Sequence, residues 1–355
     1  MAGRAASTDR RKSRLTTILH RLVAVPSPSS WLWPEADATS RYNLSVAWST
    51  ALLIVLVAVF WLSVSKVHPV LSQDFWLPVF YMAALLACSR VFRFIHMRVR
   101  EHTNATAAAM RIVCERAALA IHASVFCFTL FAGVVVFSYL SASLAWPLRD
   151  SDLAAIDKSM GFDWLEFLRI TNSMPSIGQF LSMAYKTTGA QMLLLYIFLS
   201  LAGKRERLSE FLALLAITAL ATVVINMAVP AAGAYALYLP SREAFSHFSQ
   251  LAGMWHYEIL IQLRTLPGPI LDFSQVEGLV TFPSFHTVLA IITTYGARDH
   301  RYLFLPVAFL NAAVIISTLP EGGHYLIDVI AGAAIAVGSI VLLPILRRLR
   351  MGTNS

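Results

Sequence analysis

Apolar residues run along this chain in eight long blocks, at about 44–64, 75–93, 117–145, 178–202, 209–229, 283–297, 302–319 and 323–346, with polar and charged residues gathered between them. A helix of about 20 apolar residues crosses a bilayer. The pattern therefore predicts an all-α, polytopic membrane helix bundle of about eight spans. The second block is the weakest, because Pro78 and Arg90 shorten its apolar run. No internal repeat of the transporter kind is visible.

Two polar clusters break the pattern between Thr281 and Gly332. Pro283-Ser284-Phe285-His286 opens the sixth block. Gly322-Gly323-His324-Tyr325-Leu326-Ile327-Asp328 opens the eighth, and the seventh block separates them. Polar groups at membrane depth are costly, so such clusters mark function.

Composition supports a membrane protein. Of 355 residues, 57% are hydrophobic and 14% charged, where a soluble domain carries about 25% charged residues. The formal charge of +8 is informative through its placement, and nothing in it suggests nucleic acid. With both termini cytoplasmic and eight spans, most Lys and Arg fall on the inner side. Only Lys66, Arg149, Lys158, Arg169, Arg242 and Arg264 fall outside, as the positive-inside rule requires. The same count places the starts of spans six and eight, and so both polar clusters, at the outer (periplasmic) face of a plasma or inner membrane. Cys88, Cys114 and Cys127 lie in or beside apolar blocks in no metal-like spacing and read as buried small hydrophobes. No early apolar run suggests a signal peptide, so the first span is expected to direct its own insertion.

The expected organisation is a basic cytosolic tail (1–42), two N-terminal spans with a basic cytosolic loop (43–116), a six-helix catalytic membrane domain (117–347) and a short cytosolic tail (348–355). Two outer segments are long. Residues 146–177 hold an amphipathic stretch suited to lying on the interface, with Trp146 and Trp164 as belt aromatics. Residues 230–282 are expected to form a lid or substrate platform.

The clusters suggest a reaction. His324 and Asp328 are four apart and share a helix face. A carboxylate there can hold one imidazole nitrogen and leave the other as nucleophile or base. Gly322 and Gly323 would let backbone approach an anion. Ser284 offers a hydroxyl and an amide at a helix start, where anions bind, and His286 can protonate a departing oxygen. Phosphoryl transfer through a phosphohistidine fits this set. Three alternatives stay open: a helix-capping His with a buried Asp that only hold the bundle together, metal-assisted hydrolysis with His286, His324 and Asp328 as ligands, and a lipid transporter or flippase that binds with the same groups.

These residues resemble the type-2 phosphatidic acid phosphatase superfamily, and within it the inositol phosphorylceramide synthase-like branch with its bacterial members. Pro283-Ser284-Phe285-His286 is similar to the family's PSxH motif, and His324-Tyr325-Leu326-Ile327-Asp328 to the branch's His-Tyr-x-x-Asp. Pro230-Ala231-Ala232-Gly233-Ala234-Tyr235 resembles its PAxGPY element, with alanine where proline is usual. The resemblance covers roughly residues 150–340. It implies a six-helix core with the site at the non-cytoplasmic face, His324 as nucleophile, Asp328 as its partner and His286 as acid. It further implies a lipid phosphate or phospholipid substrate and no metal or other cofactor.

The chain departs from the phosphatase pattern. Phe285 stands where PSGH has glycine, Ser317-Thr318 where Ser-Arg is usual, and Lys-x6-Arg-Pro is missing, with Leu193 in place of its arginine after Lys186. These departures favour the transferase-like branch over a phosphatase of soluble phosphates. Lys186 and Arg264 are the candidates to offset phosphate charge, while His122, His247 and His256 read as interfacial or structural.

Overall fold

The computed structural model describes residues 37–352; residues 1–36 and 353–355, which hold most of the expected basic tail and the last of the C-terminal tail, lie outside them. Eight apolar helical stretches follow the eight apolar blocks. They are α1 (Ala38–Val64), α2 (Gln73–Arg98) and α3 (Ala105–Ser143), then α6 (Pro175–Lys186) with α7 (Thr188–Leu201). The rest are α8 (Arg205–Ala228), α11 (Phe285–Gly296), α12 (Arg301–Ser317) and α13 (Leu326–Gly352). Between them lie α4 (Asp150–Ser159), α5 (Trp164–Asn172), α9 (Ala234–Tyr238) and α10 (Tyr257–Thr265). The molecule is an all-α membrane helix bundle. By length and composition α1, α2, α3, α8 and α13 can each cross a membrane, while α7, α11 and α12 are shorter apolar helices.

Local chemistry sets the helix ends. Asp37 accepts from the Ser40 amide at 2.6 Å and Asn104 from the Ala107 amide at 2.8 Å, so each caps a helix start. The fourth expected span is two helices. At Thr187 and Thr188 the hydroxyls bond the carbonyls of Ala184 and Tyr185, which competes with the helical ladder and bends it. The third helix begins at Ala105 instead of near 117. Its 39 residues span roughly 58 Å at 1.5 Å each, and Arg111 ties its start to the preceding loop through the carbonyls of Val99 and His102. At 12 residues, α11 spans only about 18 Å. The non-helical chain before it is buried at Leu279, Thr281 and Ser284, as irregular backbone in a membrane protein must be.

The main apolar core joins α1, α3, α7, α8, α11 and α13 around Phe126, Leu130, Phe211 and Val288. At one end, Arg207 and Arg298 share Glu210, at 2.7 and 2.6 Å, and Arg207 also reaches Asp299. This network ties the start of α8 to the connection between α11 and α12. A second core, around Trp164, Tyr235, Phe248 and Tyr325, carries α4, α5 and α9. One feature escaped the apolar pattern: β1 (His68–Val70) pairs in parallel with β2 (Ile270–Asp272), with His68 opposite Ile270. It pins the α1–α2 connection to the long 230–282 segment.

Candidate active site

Both polar clusters reach one cavity. The second cluster is shaped first by its glycines. Gly323 has φ +72° and Gly233 φ +104°, conformations that glycine alone adopts without strain. A Cβ on Gly233 would stand 3.1 Å from the Gly323 carbonyl oxygen, to which the Ala234 amide donates at 2.8 Å. The Pro230–Tyr235 element is thus fastened to the turn that carries His324.

His324 does not share a helix with Asp328. The helix begins only at Leu326, and the pair meets across its start. Asp328 accepts from His324 Nδ1 at 3.2 Å and from the Tyr325 amide at 2.9 Å. Both residues are buried, and Asp328 Oδ1 has no hydrogen-bond partner among the described residues.

Two aspartates on α4 organise this region. Asp157 accepts from the Leu326 and Ile327 amides at 2.7 and 2.9 Å, which caps α13 from another helix. Asp150 accepts from the Ala232 and Gly233 amides and from the Tyr325 hydroxyl. The two are seven apart, two helical turns on one face, and that spacing in the sequence was the available signal. Burial raises the Asp157 carboxyl above its ordinary range, against the two amides that lower it. Trp164, expected in an interfacial belt, is buried and donates its indole N–H to the His324 carbonyl at 3.0 Å, whereas Trp146 is exposed.

In the first cluster Ser284 caps α11. Its Oγ accepts from the amide and hydroxyl of Thr287 at 3.4 and 3.1 Å, and its amide donates to the Asp328 carbonyl at 3.0 Å. Ser284 is fully buried, so its polar groups serve the helix start and the junction with α13, not the cavity. Gly332 makes that junction possible, because a Cβ there would overlap the Ser284 carbonyl oxygen. His286 follows in the first turn. The Tyr185 hydroxyl and His286 Nδ1 share a hydrogen bond at 3.3 Å, and the rings stack at 4.1 Å. Trp255 also stacks on Tyr185, at 5.9 Å between ring centres.

The cavity measures about 390 Å3. His286, His324, His256, Tyr185, Trp255 and Glu277 form its polar and aromatic wall. Phe131, Val134 and Val135 of α3 and Leu289 of α11 form the apolar wall. Among the described residues no Lys or Arg lines it. Lys186 is exposed at the end of α6; successive helical residues point about 100° apart, so with Tyr185 facing inward Lys186 faces out. Arg264 donates to the Trp146 carbonyl at 2.6 Å and does not reach the cavity. Neither cation candidate is brought to the histidines.

His256, expected to be structural, lines the cavity. Its Nε2 donates to the Ala232 carbonyl at 3.2 Å, and burial pushes its pKa down to about 4, so the ring is neutral. His247 is held by Asn172. Burial raises the Glu277 carboxyl. Among the described residues no three His, Cys, Asp or Glu side chains converge as metal ligands.

Residues 151–342, more than half the chain, match the sequence profile of the PAP2 superfamily. The chain belongs to the PAP2 superfamily. No curated protein and no solved structure matches it. Both histidine clusters and most of the cavity fall inside the PAP2 region, and membership gives the chain a phosphatase- or phosphotransferase-type chemistry on lipid phosphates. The α3 wall lies ahead of the PAP2 match.

Proposed function

We propose that this protein is a phosphotransferase or phosphatase of lipid phosphates that works through a phosphohistidine. The observation that carries the reading is the shared cavity: His286 and His324 both line it, with Nδ1 of one held by the Tyr185 hydroxyl and Nδ1 of the other by Asp328. In each ring Nε2 is the nitrogen left for chemistry. His324 Nε2 attacks phosphorus and forms a P–N bond as the P–O bond to the lipid alcohol breaks. His286 gives its proton to the departing oxygen, and Asp328 stabilises the imidazolium. In the second half the acceptor hydroxyl returns a proton to His286 as its oxygen displaces His324. Asp328 is wholly buried and tied to His324 and the Tyr325 amide, which suits a fixed partner better than the proton-exchanging carboxylate a transporter would need.

Within this class the apolar wall and the missing cations favour transfer to a lipid hydroxyl, as in the inositol phosphorylceramide synthase-like branch, over hydrolysis of soluble phosphates. The reading further places the site at the outer face of the membrane with both termini cytoplasmic. The test uses purified protein with a labelled donor phospholipid, with and without ceramide or diacylglycerol. Label is expected on the acceptor and, after a rapid quench, on a histidine of the protein. His324→Ala is expected to fold and to lose both signals. Full activity in that variant would overturn the reading, and release of inorganic phosphate alone would leave a phosphatase.

A further inference from the structure

A second cavity, of about 380 Å3, opens between α2 and α3 and shares no lining residue with the histidine cavity. Leu86, Ser89, Arg90, Arg93, Phe94 and Met97 of α2 line it, at the three- and four-residue spacings of one helix face. From α3 comes His122, which is buried and shares a hydrogen bond with Ser89 Oγ through Nε2 at 3.1 Å. His122 Nδ1 has no hydrogen-bond partner among the described residues. No carboxylate lines the cavity, and neither Arg90 nor Arg93 has an ion-pair or hydrogen-bond partner among the described residues.

Positive charge on an apolar helix is costly without a counter-charge. Here two guanidinium groups and a serine–histidine pair converge on one cleft. Leu86, Phe94 and Met97, which complete it, are also exposed on the outer surface of the bundle. A ligand that fits carries an anion at one end and hydrocarbon at the other. Guanidinium groups match phosphate oxygens in a fixed fork, and basic pockets between membrane helices hold lipid headgroups.

We propose that this cleft binds the phosphate of an anionic phospholipid, with its acyl chains along Leu86, Phe94 and Met97. The site is independent of the catalytic reading, since it shares none of its residues. Arg90 and Arg93 hold the phosphate, and Ser89 and His122 complete its hydrogen bonds.

The experiment is native mass spectrometry of the full chain, purified in neutral detergent, with phosphatidylglycerol, phosphatidylcholine or inorganic phosphate added. The wild-type protein is expected to retain phosphatidylglycerol over phosphatidylcholine. Arg90→Gln/Arg93→Gln is expected to weaken that retention by about tenfold or more, the effect of about 1.4 kcal/mol. His324→Ala, which alters only the other cavity, is expected to retain it as the wild type does. Equal retention by the double variant, equal retention of the two lipids, or loss of retention in His324→Ala would each overturn the proposal. Displacement of the lipid by millimolar inorganic phosphate would assign the cleft to the free anion and overturn the lipid. If the double variant does not fold, the single substitutions carry the test, and unchanged retention in both overturns the site.

Discussion

The indole of Trp164 donates to the carbonyl oxygen of His324 at 3.0 Å. A short helix outside the spans thus fixes the backbone of the histidine proposed as the nucleophile. Trp164 also stacks on Tyr238 at 5.6 Å, so Trp164→Phe keeps most of the apolar contact and removes only the hydrogen bond. Such a bond contributes about 1 kcal/mol net, and leaving a buried carbonyl unpaired costs about as much again. The variant is expected to melt several degrees lower in detergent and to lose activity more steeply than stability. Unchanged turnover would mean that His324 is held by the glycine turn alone.

Asp157 makes a similar link, from α4 to the first amides of α13. Loss of a cap costs about 0.5–2 kcal/mol, and Asp157→Ala is expected to fall in that range by thermal unfolding. Its pH dependence has a defined sign. Burial places the folded carboxyl above its unfolded value, so between the two the folded state binds more protons. Stability contributed by this group is present below the unfolded carboxylate value and falls as pH rises through the raised one. Asp157→Asn is expected to flatten that limb in melting curves taken across the acid range.

Tyr185→Phe separates stacking from hydrogen bonding at His286. The ring stack remains and the hydroxyl at Nδ1 is lost. The imidazole then loses the group that fixes its proton, and turnover is expected to fall about tenfold, or about 1.4 kcal/mol of barrier, with KM little changed. His286→Ala removes the proposed acid and is expected to cost about 100- to 10,000-fold. A Tyr185→Phe variant with a raised KM and full kcat would instead make Tyr185 a substrate-binding group.

Glu277 faces the same cavity with its carboxyl raised by burial. As pH rises through that raised value, a negative charge develops opposite the substrate phosphate, and KM is expected to rise. Glu277→Gln is expected to hold KM flat over the same interval. A KM profile identical in the two proteins would place the charge out of reach of the phosphate.

Lys186 points away from the cavity. Exposed substitutions away from special features usually change energies by less than about 0.5 kcal/mol. Lys186→Ala is therefore expected to leave kcat and KM within about twofold. A large rise in KM would restore it as a phosphate ligand.

The fold was legible because membrane helices announce themselves by length and apolarity, and all eight blocks became helical. The bend at Thr187 was not, since it arises from hydroxyls that compete for carbonyls, a local choice that hydropathy ignores. In the site, spacing and helix starts pointed to His286, His324 and Asp328, which stand on two short chain segments. The groups that position them come from far along the chain: Tyr185 is 101 residues from His286 and Trp164 is 160 from His324. Contacts of that range leave no period to read. Lys186 and Arg264 were chosen by charge, and charge alone does not reveal which way a helical residue faces. Asp150 and Asp157 carry a readable signal, two acids two turns apart on one helix face, inside the stretch expected to lie on the interface.

The cavity wall from α3 has a consequence for how such proteins diversify. Phe131, Val134, Val135 and Ser138 lie before residue 151, where the superfamily match begins. Under the proposed function, part of the apolar wall that would meet the hydrocarbon of a substrate is therefore encoded outside the stretch that holds the two histidines. On that reading, substitutions in α3 are expected to retune which lipid is accepted without touching the histidines proposed to react. Grafting the 131–138 face between relatives is a direct route to exchanging acceptor preference, with the reaction itself left in place.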